Sequence, residues 1–349
     1  MTIRVRSFAK INLGLCIGAA RPDGFHDLRT VYQMIALHDL IGVQVGRGTG
    51  IEIRCDDARV PEDQTNTCYR VAERAMHALG ASQRVIITID KRLPVQGGLG
   101  AGSGNAVATL LALERALKKK LPGAERLRIA AEVGSDLPLF LVGGTVLGVG
   151  HGEEVYPLPD LPPVCCVVAT PEIGVSTPGA FADWDAMVGS GERPAKLRSA
   201  RTAEGGRPHV DRANAKLTPQ LPSDRMIQFG RAVSAWLGGQ PLSGVPVSKG
   251  RGRAETSLLD LVRTGIENDF ERVVFPKYPE LREVKSVLER AGAFYASLSG
   301  SGSALYGLFA SRRAGQRAAA RLGRDGVPAV VSTTLTRRQY WKKFPVSGF

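Results

Sequence analysis

The 349-residue sequence reads as an α+β protein of two lobes, on three features. Residues 1–160 interleave short period-two apolar runs with a long helical pattern. A run of glycines stands between a strand and that helix, at residues 97–104. The pattern then loosens over residues 185–262 and becomes regular again from residue 258 onward. We place the lobes at residues 1–162 and 163–349, the second carrying a basic, partly disordered insertion at about 185–262.

In the first lobe, alternation predicts strands at residues 3–5, around Val43 and Val45, and at 85–89. Helical spacing of Val107, Leu110, Leu111, Leu113 and Leu117 predicts a helix over residues 103–120. Lys118, Lys119 and Lys120 close that helix where its dipole is negative. Within the looser stretch only residues 224–237 have a helical pattern. Beyond it we expect helices at 258–265 and 279–291, a strand before Gly300, another at 304–309, a helix ending near Leu322 and a last strand near 327–333.

Composition narrows the classes of function. With 43% hydrophobic residues the chain can bury a core without staples. Its five cysteines form no CxxC pair, and Cys165 and Cys166 lie in an apolar run, as buried strand residues do. That usage points to a reducing, cytoplasmic setting. No stretch approaches the roughly 18 apolar residues of a membrane span, so no membrane partner is expected. The net charge of +13 is localised: residues 185–262 and 310–349 together account for it. Those segments lack interleaved aromatics, so we read a solvated basic surface that attracts anionic substrates and expect no nucleic acid.

The segment Leu93-Pro94-Val95-Gln96-Gly97-Gly98-Leu99-Gly100-Ala101-Gly102-Ser103-Gly104-Asn105 carries the most chemistry. Glycines let backbone N–H groups approach an anion, and the helix start adds unpaired donors and a positive dipole end. The arrangement predicts a nucleotide triphosphate over the helix. It lacks the Gly-Lys-Ser/Thr ending of a Walker A loop and the spacing of a dinucleotide fingerprint. A plain flexible turn is the competing reading.

Pro-x-x-x-Gly-Leu-Gly-x-Gly-Ser at residues 94–103 resembles the second motif of the GHMP kinases. Two further motifs follow that family's order: Ala9-Lys10-Ile11-Asn12-Leu13 near the start, and Leu298-Ser299-Gly300-Ser301-Gly302-Ser303-Ala304 near the end. The stretches Asp23-Gly24-Phe25-His26, Gly134-Ser135-Asp136-Leu137-Pro138, Gly150-His151-Gly152-Glu153 and Glu267-Asn268-Asp269-Phe270-Glu271 are similar to those GHMP members that phosphorylate 4-diphosphocytidyl-2-C-methyl-D-erythritol. The resemblance implies the GHMP two-domain fold: an N-terminal domain of the ribosomal S5 domain 2 type, a C-terminal ferredoxin-like domain, and a site in the cleft between them. It covers about residues 3–181 and 264–309 and is silent on the insertion.

The same resemblance implies roles. Asp136 would be the catalytic base and Lys10 its neighbour, stabilising the transferring group. Read alone, Asp136 would more often cap the short helix after it. Lys10, in an apolar strand, is unusual without any family, since buried lysines are seldom unpaired. Phe25 and Phe181 would stack a cytosine ring, His26 would bond its edge, and Asn12, at period two from Lys10, would join the substrate network. Phe25 stands where the family usually has Tyr, which removes a hydroxyl but keeps a ring. For ATP, the resemblance implies Pro94, Gly97, Gly98, Leu99, Gly100, Ala101, Gly102, Ser103, Gly104, Asn105, Gly300 and Gly302, with Asn66 and Lys91 on the adenine side. Gly104 replaces a frequent second Ser, so a phosphate or Mg²⁺ contact is expected to be missing. Mg²⁺ is expected with ATP, without an assigned protein ligand. A monomer or homodimer would suffice. Other GHMP members, such as homoserine kinase or diphosphomevalonate decarboxylase, and an idle basic binding protein remain the alternatives.

Overall fold

Strand β1 (Thr2–Ala20) runs for 19 residues, far beyond the short alternating run that marks its start. Nearly every residue from Val5 to Gly18 is buried, so both of its faces are covered and alternation disappears. It pairs antiparallel along its length with β2 (His26–Gly46), through shifts in register at Phe8/Ala9, Asn12/Gly14 and Ile17/Ala20. The connecting turn carries the Asp-Gly-Phe-His stretch at its tip, closed by Arg21 N donating to Phe25 O at 2.7 Å. The structure, a computed structural model, describes residues 2–95, 97–191, 222–237 and 266–346.

β2 serves two neighbours on its other edge. Its second half pairs with β4 (Arg84–Asp90), and residues 30–33 pair with β5 (Thr145–Val149). β3 (Ile51–Cys55) lies parallel to β4, and β6 (Glu154–Pro157) closes the far edge, giving the order β3-β4-β2-β5-β6 with β1 on β2. Helices α1 (Thr67–Ala78), α2 (Ala101–Leu117) and α3 (Gly123–Val133) cover this sheet. Val43, Ile87, Val71, Leu110 and Leu113 join one core between them. The predicted apolar stripe of α2 is therefore buried as read, except for half-buried Leu117 at the helix end. α4 (Leu137–Val142) follows, and the chain crosses to β7 (Cys165–Ala169).

The second sheet has the order β10-β7-β9-β8, all antiparallel, with β8 (Tyr295–Leu298), β9 (Leu305–Phe309) and β10 (Ala329–Thr333). With α8 (Pro279–Arg290) before β8 and α9 (Arg312–Arg324) before β10, this is the split βαβ arrangement of ferredoxin-like domains. One face packs on those helices through Leu281, Leu288, Ala318 and Leu322. The other meets β1, where Ala9, Ile11 and Leu13 share a core with Cys166, Val168, Tyr306 and Leu308. β1 is thus the shared wall of both lobes, which explains its double burial.

Two expectations need amendment. The looser stretch does not begin at residue 185: helix α5 (Thr177–Gly191) runs through it, with Ala180 and Trp184 buried. Its three glycines, at 179, 189 and 191, hid it from a propensity reading. α6 (Pro222–Leu237) is helical much as expected, whereas the helix expected at 258–265 and most of the insertion lie outside the described residues. The pattern also missed two helices near the end of the chain: α7 (Glu271–Lys277), which carries an internal Pro276, and α10 (Arg337–Lys343). All five cysteines are free thiols, and burial pushes Cys16 and Cys68 up to about 12.

Candidate active site

A cleft of about 1030 Å³ lies between the sheets, floored by β1 and β2. One wall is the glycine loop. α2 starts at Gly100, whose left-handed backbone (φ 69°) takes no side-chain cap, so the helix's first N–H groups stay free. Gly98 (φ 74°) is required: a Cβ there would stand 2.0 Å from Ser299 O. That close approach joins the loop to the β8–β9 turn, where Ser299 Oγ donates to Gly98 O (3.0 Å) and Ala304 N to Gly97 O (3.2 Å). The two glycine motifs, 201 residues apart, therefore form one continuous backbone surface.

At the centre, Lys10 Nζ lies 3.6 Å from Asp136 Oδ2. Lys10 is 3% exposed, and its Nζ donates to Asn12 Oδ1 at 2.8 Å. Asn12 Nδ2 donates to Thr30 Oγ1, which donates to Gly14 O. Burial lowers the Lys10 pKa, partly offset by the Asp136 carboxylate. Asp136 sits at the N-cap position of α4 but makes no capping bond, so its carboxylate is free for the cleft. The helix holds it there by burying Leu137, Leu139 and Phe140. Two carbonyls in its last turns receive Tyr340 OH (to Phe140 O, 2.8 Å) and Trp341 Nε1 (to Val142 O, 3.2 Å) from α10.

Tyr32 was not read from the sequence. Its OH donates to Asp136 Oδ1 at 2.9 Å, and its ring lies under Lys10 Nζ, 5.5 Å from the centroid. Burial, with the Asp136 charge beside it, raises the Tyr32 pKa well above the phenol range, so it stays a donor. A usable signal existed, because Thr30 and Tyr32 share one face of β2 at period two opposite Asn12 and Leu15. Asp136 thus has one oxygen held by Tyr32 and the other beside Lys10, a carboxylate fixed in direction and able to accept a hydroxyl proton.

At the far end, the rings pair differently from expectation. Phe181 stacks on His26 (centroids 4.8 Å, 16° between planes), and Phe25 stacks on His151 (4.6 Å, 20°). Phe25 is 54% exposed at the hairpin tip, open to a planar ligand. His26 Nε2 is 2.7 Å from Asp185 Oδ1, a partner the reading had assigned to the insertion.

Among the residues predicted to bind ATP, Pro94, every residue from Gly97 to Ser103, Asn105 and Gly300 line the cleft, and so do Asn66 and Lys91. The last two are already engaged. Asn66 caps α1 through Cys68 N (2.8 Å) and donates to Pro61 O. Lys91 Nζ donates to buried Asp39 (2.8 Å) and to Leu93 O. Asp39 also accepts from Arg92 N, Leu93 N and Asn105 Nδ2, tying the base of the glycine loop to β2. Gly104 faces away from the cleft: a Cβ there would meet Ser7 Oγ at 2.9 Å and Phe8 O at 3.1 Å. A serine at 104 would thus press on β1 before it reached a phosphate. Gly302 turns toward Leu298 and does not line the cleft. The Glu267–Glu271 stretch is a brace. Asn268 Nδ2 donates to Leu298 O and Gly300 O, Asp269 accepts from Ile17 N and pairs with Arg225, and Glu271 accepts from Ser297 and Leu298 N.

Fold and cleft agree with two family models, GHMP kinases N terminal domain over residues 66–144 and GHMP kinases C terminal over 254–328. The first spans the glycine loop and Asp136, and the second spans the β8–β9 turn that meets it. A homoserine kinase from Cytophaga hutchinsonii shares the fold at a TM-score of 0.66 and 20% identity, covering 96% of this chain and 95% of its own. A crystal structure of 4-(cytidine 5′-diphospho)-2C-methyl-D-erythritol kinase has a TM-score of 0.67 and 28% identity, over 95% of this chain and 99% of that one. The chain is 35% identical over 342 residues to the 4-diphosphocytidyl-2-C-methyl-D-erythritol kinase of Solibacter usitatus, covering 97% of this chain and 92% of that protein. A like-named relative from Desulfitobacterium hafniense is 33% identical, covering 91% of each. On these grounds the chain belongs to the 4-diphosphocytidyl-2-C-methyl-D-erythritol kinase family of the GHMP kinases.

Proposed function

We propose that the protein transfers the γ-phosphoryl group of ATP to the 2-hydroxyl of 4-diphosphocytidyl-2-C-methyl-D-erythritol, in the non-mevalonate route to isoprenoid precursors. The observation that carries this reading is the Lys10–Asp136 pair at 3.6 Å, set between a phosphate-binding glycine loop and a cluster of aromatic rings in one cleft. ATP phosphates lie on the free N–H groups at the start of α2, and the cytidine end lies toward Phe25, His26 and Phe181. The acceptor hydroxyl then falls at Asp136, which takes its proton as the oxygen attacks in line. Lys10 supplies positive charge to the phosphoryl oxygens from a buried position, where its attraction for them is stronger than in water. Asn12, bonded to Lys10, keeps the ammonium aimed at the reaction centre.

Mg²⁺ is taken to arrive as part of the MgATP substrate. Among the described residues no group of three His, Cys, Asp or Glu side chains converges to hold a metal. A site with few protein ligands suits Mg²⁺, which keeps its waters and relies on substrate phosphates. Every role assigned comes from one chain, so no second subunit is required. Five free thiols fit a reducing cytoplasm.

The test is ADP release with MgATP and four alcohols: the cytidine-bearing substrate, the same polyol without cytidine, homoserine and mevalonate. Turnover confined to the first supports the reading. Turnover of homoserine or mevalonate overturns the substrate assignment and keeps the kinase, and a folded sample silent on all four overturns both.

A further inference from the structure

Helix α5 approaches His26 with two side chains one turn apart. Phe181 and Asp185, at i and i+4, share one helix face. The first covers the plane of the imidazole at 4.8 Å and the second meets its edge, with Oδ1 2.7 Å from Nε2. The ring is fixed from two directions and its side chain is 6% exposed, while the carboxylate is 52% exposed. A carboxylate only accepts, so Nε2 carries the proton. In the neutral ring Nδ1 is then a bare acceptor. Among the described residues the Asp185 contact is the one hydrogen bond the ring makes, and the ring lines the cleft.

Cytosine presents an exocyclic amine where uracil presents a carbonyl oxygen. An imidazole locked with Nδ1 as acceptor pairs with the amine and opposes two lone pairs on the carbonyl. We propose that Asp185 is a positioning residue that fixes the His26 tautomer, so that the cleft takes an amino-bearing pyrimidine and rejects its keto counterpart. This rests on the substrate reading above and goes beyond it in assigning the discrimination to a residue on α5 that touches no base. Phe181 and Asp185 act as one unit, because a ring free to rotate would lose the direction of its lone pair.

The test separates this inference from the kinase reading by using binding alone. Cytidine 5′-diphosphate and uridine 5′-diphosphate are titrated into the full chain in the presence of excess ADP, for the wild type and for Asp185→Asn. The carboxamide can present either its oxygen or its amine to Nε2, so it no longer fixes the tautomer. The wild type should prefer the cytidine compound, and the variant should lose about tenfold of that preference, the scale on which a misplaced polar group discriminates. In parallel, imidazole ¹⁵N shifts should report the Nε2–H tautomer of His26 in the wild type and a mixture of the two tautomers in Asp185→Asn. A preference unchanged by the substitution, or an Nδ1–H tautomer in the wild type, overturns the inference. Failure of ADP release with intact cytidine selectivity would remove the kinase reading and leave the tautomer assignment standing.

Discussion

The two ends of the cleft are built on opposite plans. At the Lys10 end the groups are buried and bonded to one another, and Lys10, Asn12, Thr30 and Tyr32 all come from one β-hairpin. At the Phe25 end the hairpin tip contributes Phe25 and His26, but α5 of the other lobe supplies Phe181 and Asp185, and Phe25 is exposed. A phosphoryl transfer tolerates little error in the position of base and charge, so a rigid, doubly covered strand suits it. Recognition of a base must admit a ligand, so stacked rings at an open rim suit that task. The difference predicts that substitutions at the first end act on kcat and those at the second on KM.

The largest effect should come from Asp136→Ala. Loss of the proposed base should lower kcat by about a thousandfold or more, and thermal unfolding should move to lower temperature as well, because buried Lys10 loses its counter-charge and Tyr32 its acceptor. A variant that retains kcat would erase the contrast. Tyr32→Phe should lower kcat about tenfold with KM nearly unchanged, since it frees one carboxylate oxygen without emptying the ring's space. A rise in KM alone would move Tyr32 to the binding end. Phe25→Leu should raise KM for the cytidine-bearing alcohol severalfold at constant kcat, as expected for loss of a stacking face.

The smallest effect concerns stability. Burial lowers the Lys10 pKa below the ordinary lysine value, so between the folded and unfolded values the unfolded chain binds the extra proton and stability rises with pH. Urea unfolding of wild type and Lys10→Met between neutral pH and about pH 10 should show the difference moving in favour of the wild type as pH rises. A constant difference would mean that Asp136 fully offsets the burial.

Most residues of both ends were named from the sequence, but each end hid one: Tyr32 at the first and Asp185 at the second. Lys10 stands out as a charge in an apolar strand, and Asn12 follows on the same face. The glycine loop announces itself by standing between β4 and α2. Tyr32 escaped notice because a tyrosine in a strand looks like core until its hydroxyl is seen to reach Asp136, 104 residues away. Asp185 escaped because a glycine-rich helix read as the start of an insertion. Asn66 and Lys91 were expected on the adenine side from the family resemblance, but only their partners reveal that one caps a helix and the other neutralises Asp39.

By itself, the sequence determined the α+β class, the strand–glycine loop–helix unit and the family motifs, because these depend on residues within a few positions of one another, where backbone preference and side-chain period act. Tertiary structure alone decided which phenol holds the Asp136 carboxylate, which glycine must admit Ser299, and which acid holds His26. Those contacts join residues 104, 201 and 159 positions apart. No local preference encodes such separations, and only the burial of β1 between two sheets brings these groups within bonding distance.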